Sequence, residues 1–208
     1  MQVRVNVLGL LWVVAAAFHQ NAWAQEFGLD YRIPAGFVYE EASLTPEKAR
    51  ELARNHAVLT LLKVAEISPE VAQKLVTPYL DTFLTLPALE TIDVAAAAKL
   101  SVRRGYLRLW GITSLTPEAA AALVGSPGQG LEVPNVREIS PEVARALVQG
   151  KRDALRLGLT ALSRDISEIL AEFPGELWFP RLETLSLEAA AALAKHRKSL
   201  DLGPARIS

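Results

Sequence analysis

The sequence contains no cysteine, and Met1 is its only methionine. Disulfide bonds, thiolate zinc sites and cysteine nucleophiles are therefore excluded. An excess of one charge is also missing, because 22 Lys and Arg residues balance 23 Asp and Glu residues to a formal net charge of -1. Proteins that bind nucleic acid or anionic membranes electrostatically present a strongly basic surface, so we expect neither kind of partner.

Sequence motifs of common enzyme classes are missing as well. The chain has no glycine-rich phosphate loop opening a helix, no Gly-x-Ser-x-Gly elbow and no His-Glu-x-x-His pair. Its histidines are His19, His56 and His196, and the last two fall in the first and seventh of the repeats described below. At about 4.8 Å per strand, six repeats place them roughly 29 Å apart, too far to share a metal ion. We therefore expect no enzyme activity, no metal and no cofactor.

The first 24 residues have the composition of a signal peptide. Arg4 supplies a positive charge, residues 7–18 form an apolar run, and residues 22–24 (Ala-Trp-Ala) fit the small-x-small rule for cleavage before Gln25. The apolar run is shorter than the ~20 residues that span a bilayer, which disfavours the alternative of an uncleaved membrane anchor. We predict an exported protein, periplasmic or secreted, with no membrane span after cleavage. The lack of disulfides favours a bacterial periplasm.

Residues 25–43 match no repeat and are rich in aromatic and turn-forming residues, among them Phe27, Tyr31, Pro34 and Tyr39. Because a solenoid must cover the apolar end of its first unit, we predict an N-terminal cap here. A recognition arm is the alternative interpretation of the same segment.

From residue 44 to residue 208 one phrase recurs seven times and begins an eighth time. It opens on Leu or Ile, continues as a short stretch of small residues and ends in a Leu-x-Leu-like triplet. The opening positions lie 22–25 residues apart, at Leu44, Ile67, Ile92, Leu115, Ile139, Leu162, Leu185 and Ile207. A near-constant period of this length predicts a solenoid of stacked units, so residues 44–208 are interpreted as one seven-unit domain.

The first half of each unit carries helix-start signals. Four units read Ser or Thr followed by Pro-Glu, and the other three keep a capping oxygen; the seven N-cap residues are Thr45, Ser68, Asp93, Thr116, Ser140, Ser163 and Ser186. These side chains accept hydrogen bonds from free backbone N–H groups, Pro is tolerated at the first helical position, and Glu complements the positive end of the helix dipole. One short helix per unit is therefore predicted.

The second half of each unit alternates apolar, outward and apolar residues, which is typical of a short strand. The triplets are 59–61, 84–86, 107–109, 131–133, 155–157, 177–179 and 200–202. One strand and one helix per ~23 residues predict an α/β solenoid with a parallel sheet on one side and helices on the other. Repeats built of two helices need about 34–47 residues and are excluded by length. The glycine-rich residues 125–130 are interpreted as a turn between a helix and a strand.

The strand phrase Leu-x-Leu-x-x-apolar-x-x-Leu/Ile over residues 44–207 resembles leucine-rich-repeat proteins, whose units run about 20–29 residues. The Ser/Thr-Pro-Glu-x-Ala-x-x-Leu helix start is similar to a short bacterial variant of that family. The resemblance implies a binding scaffold. The chain departs from the family where Asn or Cys usually follows the strand, since apolar residues stand there: Val64, Leu89, Ile112, Val136 and Leu182. Curvature and loop geometry are therefore not carried over.

The best candidate for function is the strand face, the side of the sheet turned away from the helices. The candidate ligand-binding residues on it are Tyr106, Arg108, Trp110, Arg156 and Trp178. Aromatic and Arg side chains are the usual anchors of protein interfaces, which indicates a protein or another extended ligand. The alternative is a solvated ladder in which Arg108, Glu132 and Arg156 form cross-strand ion pairs of little net value.

The C-terminal strand of the sheet is expected to lie at an open edge, because Ile207 begins a phrase that has no following helix. We therefore carry three functions forward. The first is non-catalytic binding of a protein on the strand face, in the cell envelope. The second is a structural, self-associating envelope or surface component that forms homo-oligomers through the C-terminal edge. An exported hydrolase is the third and has the least support.

Overall fold

The structure is a computed structural model that describes residues 36–76 and 82–207, without the side chain of Ile207. The predicted signal peptide, residues 1–24, and the first part of the predicted cap, residues 25–35, lie outside the described residues. The described chain is an α/β solenoid-like fold in which a parallel sheet alternates with helices. Among these residues no helix has the length and apolar character needed to cross a membrane.

Eight short strands form one parallel sheet in the order β1-β2-β3-β4-β5-β6-β8-β10. Each strand pairs with the strand of the neighbouring unit in unshifted register, so that Leu59 lies beside Leu84 and Leu84 beside Leu107. Their bounds are β1 Phe37–Tyr39, β2 Val58–Leu61, β3 Phe83–Thr85, β4 Tyr106–Arg108, β5 Gly128–Val133, β6 Arg152–Leu157, β8 Glu176–Trp178 and β10 Leu200–Asp201.

Seven helices in the described residues lie one in each predicted unit, which confirms the helical interpretation. They are α1 Pro46–Asn55, α2 Pro69–Lys74, α3 Val94–Ser101, α4 Pro117–Val124, α5 Pro141–Val148, α6 Arg164–Leu170 and α7 Leu187–Leu193. In every helix the predicted N-cap side chain accepts a hydrogen bond from the backbone N–H three residues on, as Asp93 does from Ala96 at 2.8 Å. The local sequence thus sets each helix start without help from distant residues.

The hydrophobic core is one continuous layer between the sheet and the helices. In each of the first five units the two apolar strand residues and the Ala and Leu of the helix are buried; in the second unit these are Leu84, Leu86, Ala72 and Leu75. The apolar residue that follows each strand, such as Val64, is buried in the same layer. Ala at the helix positions permits close approach between helices, and Leu fills the space between the layers.

Three features of the fold differ from the sequence prediction. The predicted cap contributes a strand, since β1 pairs with β2 from Phe37 beside Leu59 to Tyr39 beside Leu61. The glycine-rich residues 125–130 are only partly a turn, because β5 already begins at Gly128. A Cβ atom at Gly130 would lie 2.6 Å from the ring of Tyr106, so only glycine lets this strand pass that ring.

A second, smaller sheet is the third difference. It contains β7 Ala161–Leu162, β9 Thr184–Leu185 and β11 Arg206–Ile207, all parallel, in the order β11-β9-β7. Ile207, which opens the eighth phrase, pairs with Leu185 in this sheet. Two-residue strands carry too little alternation for a sequence pattern to predict them.

Candidate functional site: the strand face

One residue from each strand forms a continuous row along the face opposite the helices. The register places these residues side by side, and we call the row the outward ladder: Val38, Thr60, Thr85, Arg108, Glu132, Arg156, Trp178 and Asp201. From β2 to β8 the residues on either side of each ladder position are buried in the core, as Leu59 and Leu61 are beside Thr60. The predicted residues Arg108, Arg156 and Trp178 are therefore brought together on one surface.

The centre of the ladder is an ion pair combined with aromatic rings. Arg108 Nε lies 3.2 Å from Glu132 Oε1, and the two side chains are 0% and 3% exposed. The guanidinium of Arg108 also lies over the ring of Phe83, 4.6 Å from its centroid. Phe83 in turn stacks on Tyr106 at a centroid distance of 5.1 Å. Because both charges are buried and paired, this group is held in one geometry rather than solvated as a loose surface pair.

Phe83 is a member of this cluster that the sequence analysis missed. It occupies the same register position in β3 that Tyr106 occupies in β4. The signal was present, since both residues directly precede the Leu-x-Leu-like triplet of their unit. Applying the register to that position as well as to the central one would have found the stacked pair.

The second part of the predicted site lies one and two strands further on. The guanidinium of Arg156 lies 5.3 Å from the ring centroid of Trp178, its neighbour in the register. Both side chains are half-buried, and Asp201 on the edge strand is exposed. Stacking of Arg on Trp contributes about 0.5–1 kcal/mol at an exposed site.

Trp110 differs from the other predicted residues because it lies beyond the end of β4. Its carbonyl oxygen accepts a 2.6 Å hydrogen bond from the Asn135 side chain in the turn of the next unit. The side chain is 3% exposed, yet it is not part of the continuous hydrophobic core. Trp110 is thus placed near the strand face by its turn rather than by strand pairing.

Two buried arginines form a structural cluster that sequence reasoning did not find. Arg152 donates to the carbonyl oxygens of Ser101 at 2.9 Å, Arg103 at 3.0 Å and Gly105 at 3.3 Å, and to that of Leu123 at 3.5 Å. Ser101 and Leu123 lie in the last turns of α3 and α4, where helix carbonyl groups have no intrahelical partner, and Arg103 and Gly105 lie in the loop from α3 to β4. A guanidinium suits this place, because the helix dipole favours a cation there.

The neighbouring Arg103 repeats this contact one unit earlier, donating to the carbonyl oxygen of Leu75 at 2.8 Å. Burial and, to a lesser extent, the charge of Arg152 together lower the pKa of Arg103 to about 10. Burial also lowers the pKa of Arg152 to about 10. Both groups remain protonated at neutral pH, so each is a buried cation held by carbonyl groups.

The two histidines of the described residues serve separate local contacts. His56 stacks on Phe37 with ring centroids 4.1 Å apart, and His196 Nδ1 lies 3.2 Å from the carbonyl oxygen of Ala171. No group of three or more potential metal ligands occurs within residues 36–76 and 82–207.

A cleft of about 660 Å³ lies away from the strand face, at the C-terminal ends of α6 and α7. Its lining residues are Glu168, Ala171, Glu172, Phe173, Pro174, Lys195, Arg197 and Lys198. Charges of both signs line it, and Glu168 is engaged with Arg164 at 2.9 Å. None of the residues predicted to bind a ligand lies in this cleft.

Comparison with known proteins identifies no family for this chain. No protein-family model matches the chain, and no curated protein matches it.

Proposed function

We propose that this chain is a non-catalytic protein-binding scaffold of the leucine-rich-repeat type, acting in the cell envelope through its strand face. The observation that carries the proposal is the row of Arg, acidic and aromatic side chains on the face opposite the helices. Parallel one-strand, one-helix units of about 23 residues support the family assignment, since this is the unit size and layering of such solenoids.

The chemistry of the ladder favours an extended polypeptide as the partner. Arg156 and Trp178 are half-buried and Asp201 is exposed, so a segment that crosses β6, β8 and β10 meets a cation, an aromatic ring and an anion at the strand spacing of about 4.8 Å. Half-buried Trp178 and Tyr106 supply apolar area beside them. Interfaces are enriched in Trp, Tyr and Arg because these side chains combine large contact area with hydrogen bonding.

Export to the periplasm or the cell exterior is part of the proposal and rests on residues 1–24. The test is fractionation of cells that express the chain, followed by N-terminal sequencing of the exported form. A mature chain that starts at Gln25 is the expected result. A chain that keeps residue 1 and stays in the cytoplasm would contradict the envelope assignment.

The strand-face assignment is tested by partner capture from an envelope extract. Arg156→Ala and Trp178→Ala remove half-buried side chains of the ladder, and Arg164→Ala removes an exposed Arg on the helix side as a matched control. We expect the two ladder variants to lose capture and the control to retain it, with unchanged helix content in all three. Equal capture by ladder and control variants would place the binding surface elsewhere.

Self-association is the second candidate, favoured by two open edges. In the described residues β10 pairs only with β8, and β11 pairs only with β9. Unpaired edges of this kind are templates for strand addition by another chain. A light-scattering series over increasing concentration distinguishes the two functions, since a mass that stays monomeric excludes the structural component.

A further inference from the structure

The cleft at the C-terminal ends of α6 and α7 lies between two consecutive loops. The loop from α6 to β8 supplies one wall with residues 171–174, and the loop from α7 to β10 supplies the other with Lys195, Arg197 and Lys198. Its volume of about 660 Å³ falls in the range of small-molecule sites, which is about 300–1,000 Å³. The cleft is therefore large enough to hold a small organic molecule.

A change at one position of the repeat accompanies this opening. Three residues after the core leucine of the helix, Arg103 in the third unit donates to the carbonyl oxygen of Leu75, the C-cap of α2. In the seventh unit this position is His196, whose Nδ1 lies 3.2 Å from the carbonyl oxygen of Ala171, the C-cap of α6. The buried arginines of the described chain, which all precede the sixth unit, are Arg103, Arg108 and Arg152. The contact to the preceding helix is thus kept between the last two loops, but no buried guanidinium closes the space between them.

The cations that line the cleft are exposed and not paired with acidic side chains. Within residues 36–76 and 82–207 no ion pair involves Lys195, Arg197 or Lys198. Glu168 is held by Arg164, and Arg164 and, more weakly, Lys195 lower the pKa of its carboxyl group. The remaining carboxylate of the lining is Glu172. Positive charge therefore exceeds negative charge in the cleft, which favours an anion there.

The helix ends next to the cleft already have hydrogen-bond donors. Free carbonyl groups at a helix C-terminus attract lysine and arginine side chains. Here the N–H groups of the following loops bind the last carbonyl groups, with Glu172 donating to Ile169 at 3.1 Å, Phe173 to Leu170 at 3.0 Å, Lys195 to Ala192 at 3.2 Å and His196 to Leu193 at 2.9 Å. The three cationic side chains of the cleft are thus available to a ligand.

We propose that the cleft binds a small organic anion, whose carboxylate or phosphate group is held by Lys195, Arg197 and Lys198. The guanidinium of Arg197 offers two parallel N–H donors that match the oxygen atoms of either group. Half-buried Ala171 and exposed Pro174 supply apolar contact for the rest of the ligand. The cleft lies away from the outward ladder, so this site is independent of partner binding on the strand face.

Histidine NMR resonances measure this binding in the full chain. His196 lies between two lining residues and contacts Ala171, whereas His56 stacks on Phe37 at the opposite end of the sheet. Inorganic phosphate and succinate are titrated separately at constant pH and ionic strength, because salt screens non-specific attraction. We expect the His196 resonances to shift and saturate with a Kd of about 1 mM or tighter, with His56 unchanged. Saturation by only one of the two anions identifies the group that the site prefers.

Charge variants test which side chains hold the anion. Arg197→Gln with Lys198→Gln is expected to weaken binding by about tenfold or more, because two charged donors are lost. Glu172→Gln removes a negative charge from the lining and is expected to tighten binding by about twofold. Lys151→Gln is the matched control, since it removes an exposed lysine from the helix-to-strand loop of the fifth unit, and it should leave the Kd unchanged. Circular dichroism confirms that each variant is folded.

The absence of a saturable shift at His196 with both anions would overturn the proposal. Equal shifts at His196 and His56 would also overturn it, because binding would then be non-specific. Unchanged affinity in the double variant would have the same consequence, since the cations of the cleft would not hold the anion. Partner capture by the ladder variants is measured separately, so failure of the strand-face proposal and failure of the cleft proposal are distinguishable.

Discussion

The connection from each strand to the next helix differs between the first four units and the last three. After β2, β3, β4 and β5 the chain reaches the next helix without a second strand, whereas after β6, β8 and β10 it forms β7, β9 and β11. Backbone hydrogen bonds join these later turns, as Glu183 N–H donates to the Thr160 carbonyl at 2.9 Å and Arg206 N–H to the Glu183 carbonyl at 3.0 Å. The last three units are therefore held by two ladders and the first four by one.

The turn after β6 is one residue shorter than the turns after β2–β5. Ile139 follows Val133, the last apolar residue of β5, by six positions, whereas Leu162 follows Leu157 by five; after β8 the spacing from Phe179 to Leu185 is again six. The shorter turn starts with Gly158, whose N–H donates to the Val133 carbonyl at 3.3 Å. Thr160 N–H donates in turn to the Arg137 carbonyl at 3.2 Å, so this turn lies close against the turn of the preceding unit, and glycine permits the close approach at residue 158.

The largest expected loss of stability comes from removing the side chain that joins the first four units to the last three. Arg152→Ala leaves the buried carbonyls of Ser101, Arg103 and Gly105 without their donor, so we expect the free energy of unfolding to fall by about 3 kcal/mol. Urea denaturation measures it. The exposed neighbour Lys151→Ala is the control and should change stability by less than about 0.5 kcal/mol. A loss no greater than that of the control would show that the cluster does not join the groups.

Gly158→Ala tests the close turn of the last three units. A Cβ atom there would overlap the backbone carbonyl of Pro134, and we expect a loss of about 2 kcal/mol in urea denaturation, in the range of overpacked sites. Gly125→Ala is the matched control, because its Cβ would lie 3.2 Å from the nearest atom, the Ala121 carbonyl oxygen. Equal effects would contradict the role given to the shortened turn.

Asn135→Ala tests the turn after β5, which is the last turn of the first four units. The variant removes the 2.6 Å hydrogen bond from the Asn135 side chain to the Trp110 carbonyl. We expect a loss of about 1 kcal/mol and a shift in the emission of Trp110. Asn135→Asp, which keeps the shape but cannot donate, should behave similarly. A fully stable alanine variant would mean that the two turns are held by packing alone.

The smallest expected effect is a gain in the last unit. Leu187 stands at the first position of α7 and is 66% exposed, where four other helices have Pro. Leu187→Pro should raise the thermal midpoint slightly, by about 0.5 kcal/mol of stability, because Pro restricts the unfolded chain without losing a hydrogen bond. Leu187→Ala controls for removal of the side chain. A destabilised proline variant would mean that the helix starts differ between units.

Local signals made the helices and the main sheet predictable from the sequence. Each N-cap acts within four residues, and each strand places its two apolar residues two positions apart, with the second one five or six positions before the next opening position. The same period predicts the outward ladder, since it places Arg108, Glu132, Arg156 and Trp178 at one position of the repeat. The period does not single out Phe83, because the position just before the triplet is aromatic only in β3 and β4.

The features that were not predictable depend on tertiary distance. β7, β9 and β11 are two residues long, and their pairing depends on how closely one turn approaches the next. Arg152 carries no local pattern, since its four acceptors lie 29–51 residues earlier in the chain. A buried cation held by carbonyl groups looks, in sequence, like any surface arginine.

The reach of Arg152 has a mechanical consequence. In a solenoid whose units touch only their neighbours, stretching peels the units away one at a time. Here one side chain ties the fifth unit to the third across the fourth, so these three should yield together as a block under tension. Pulled from its C-terminal end, the molecule should release two small steps, followed by one large rupture.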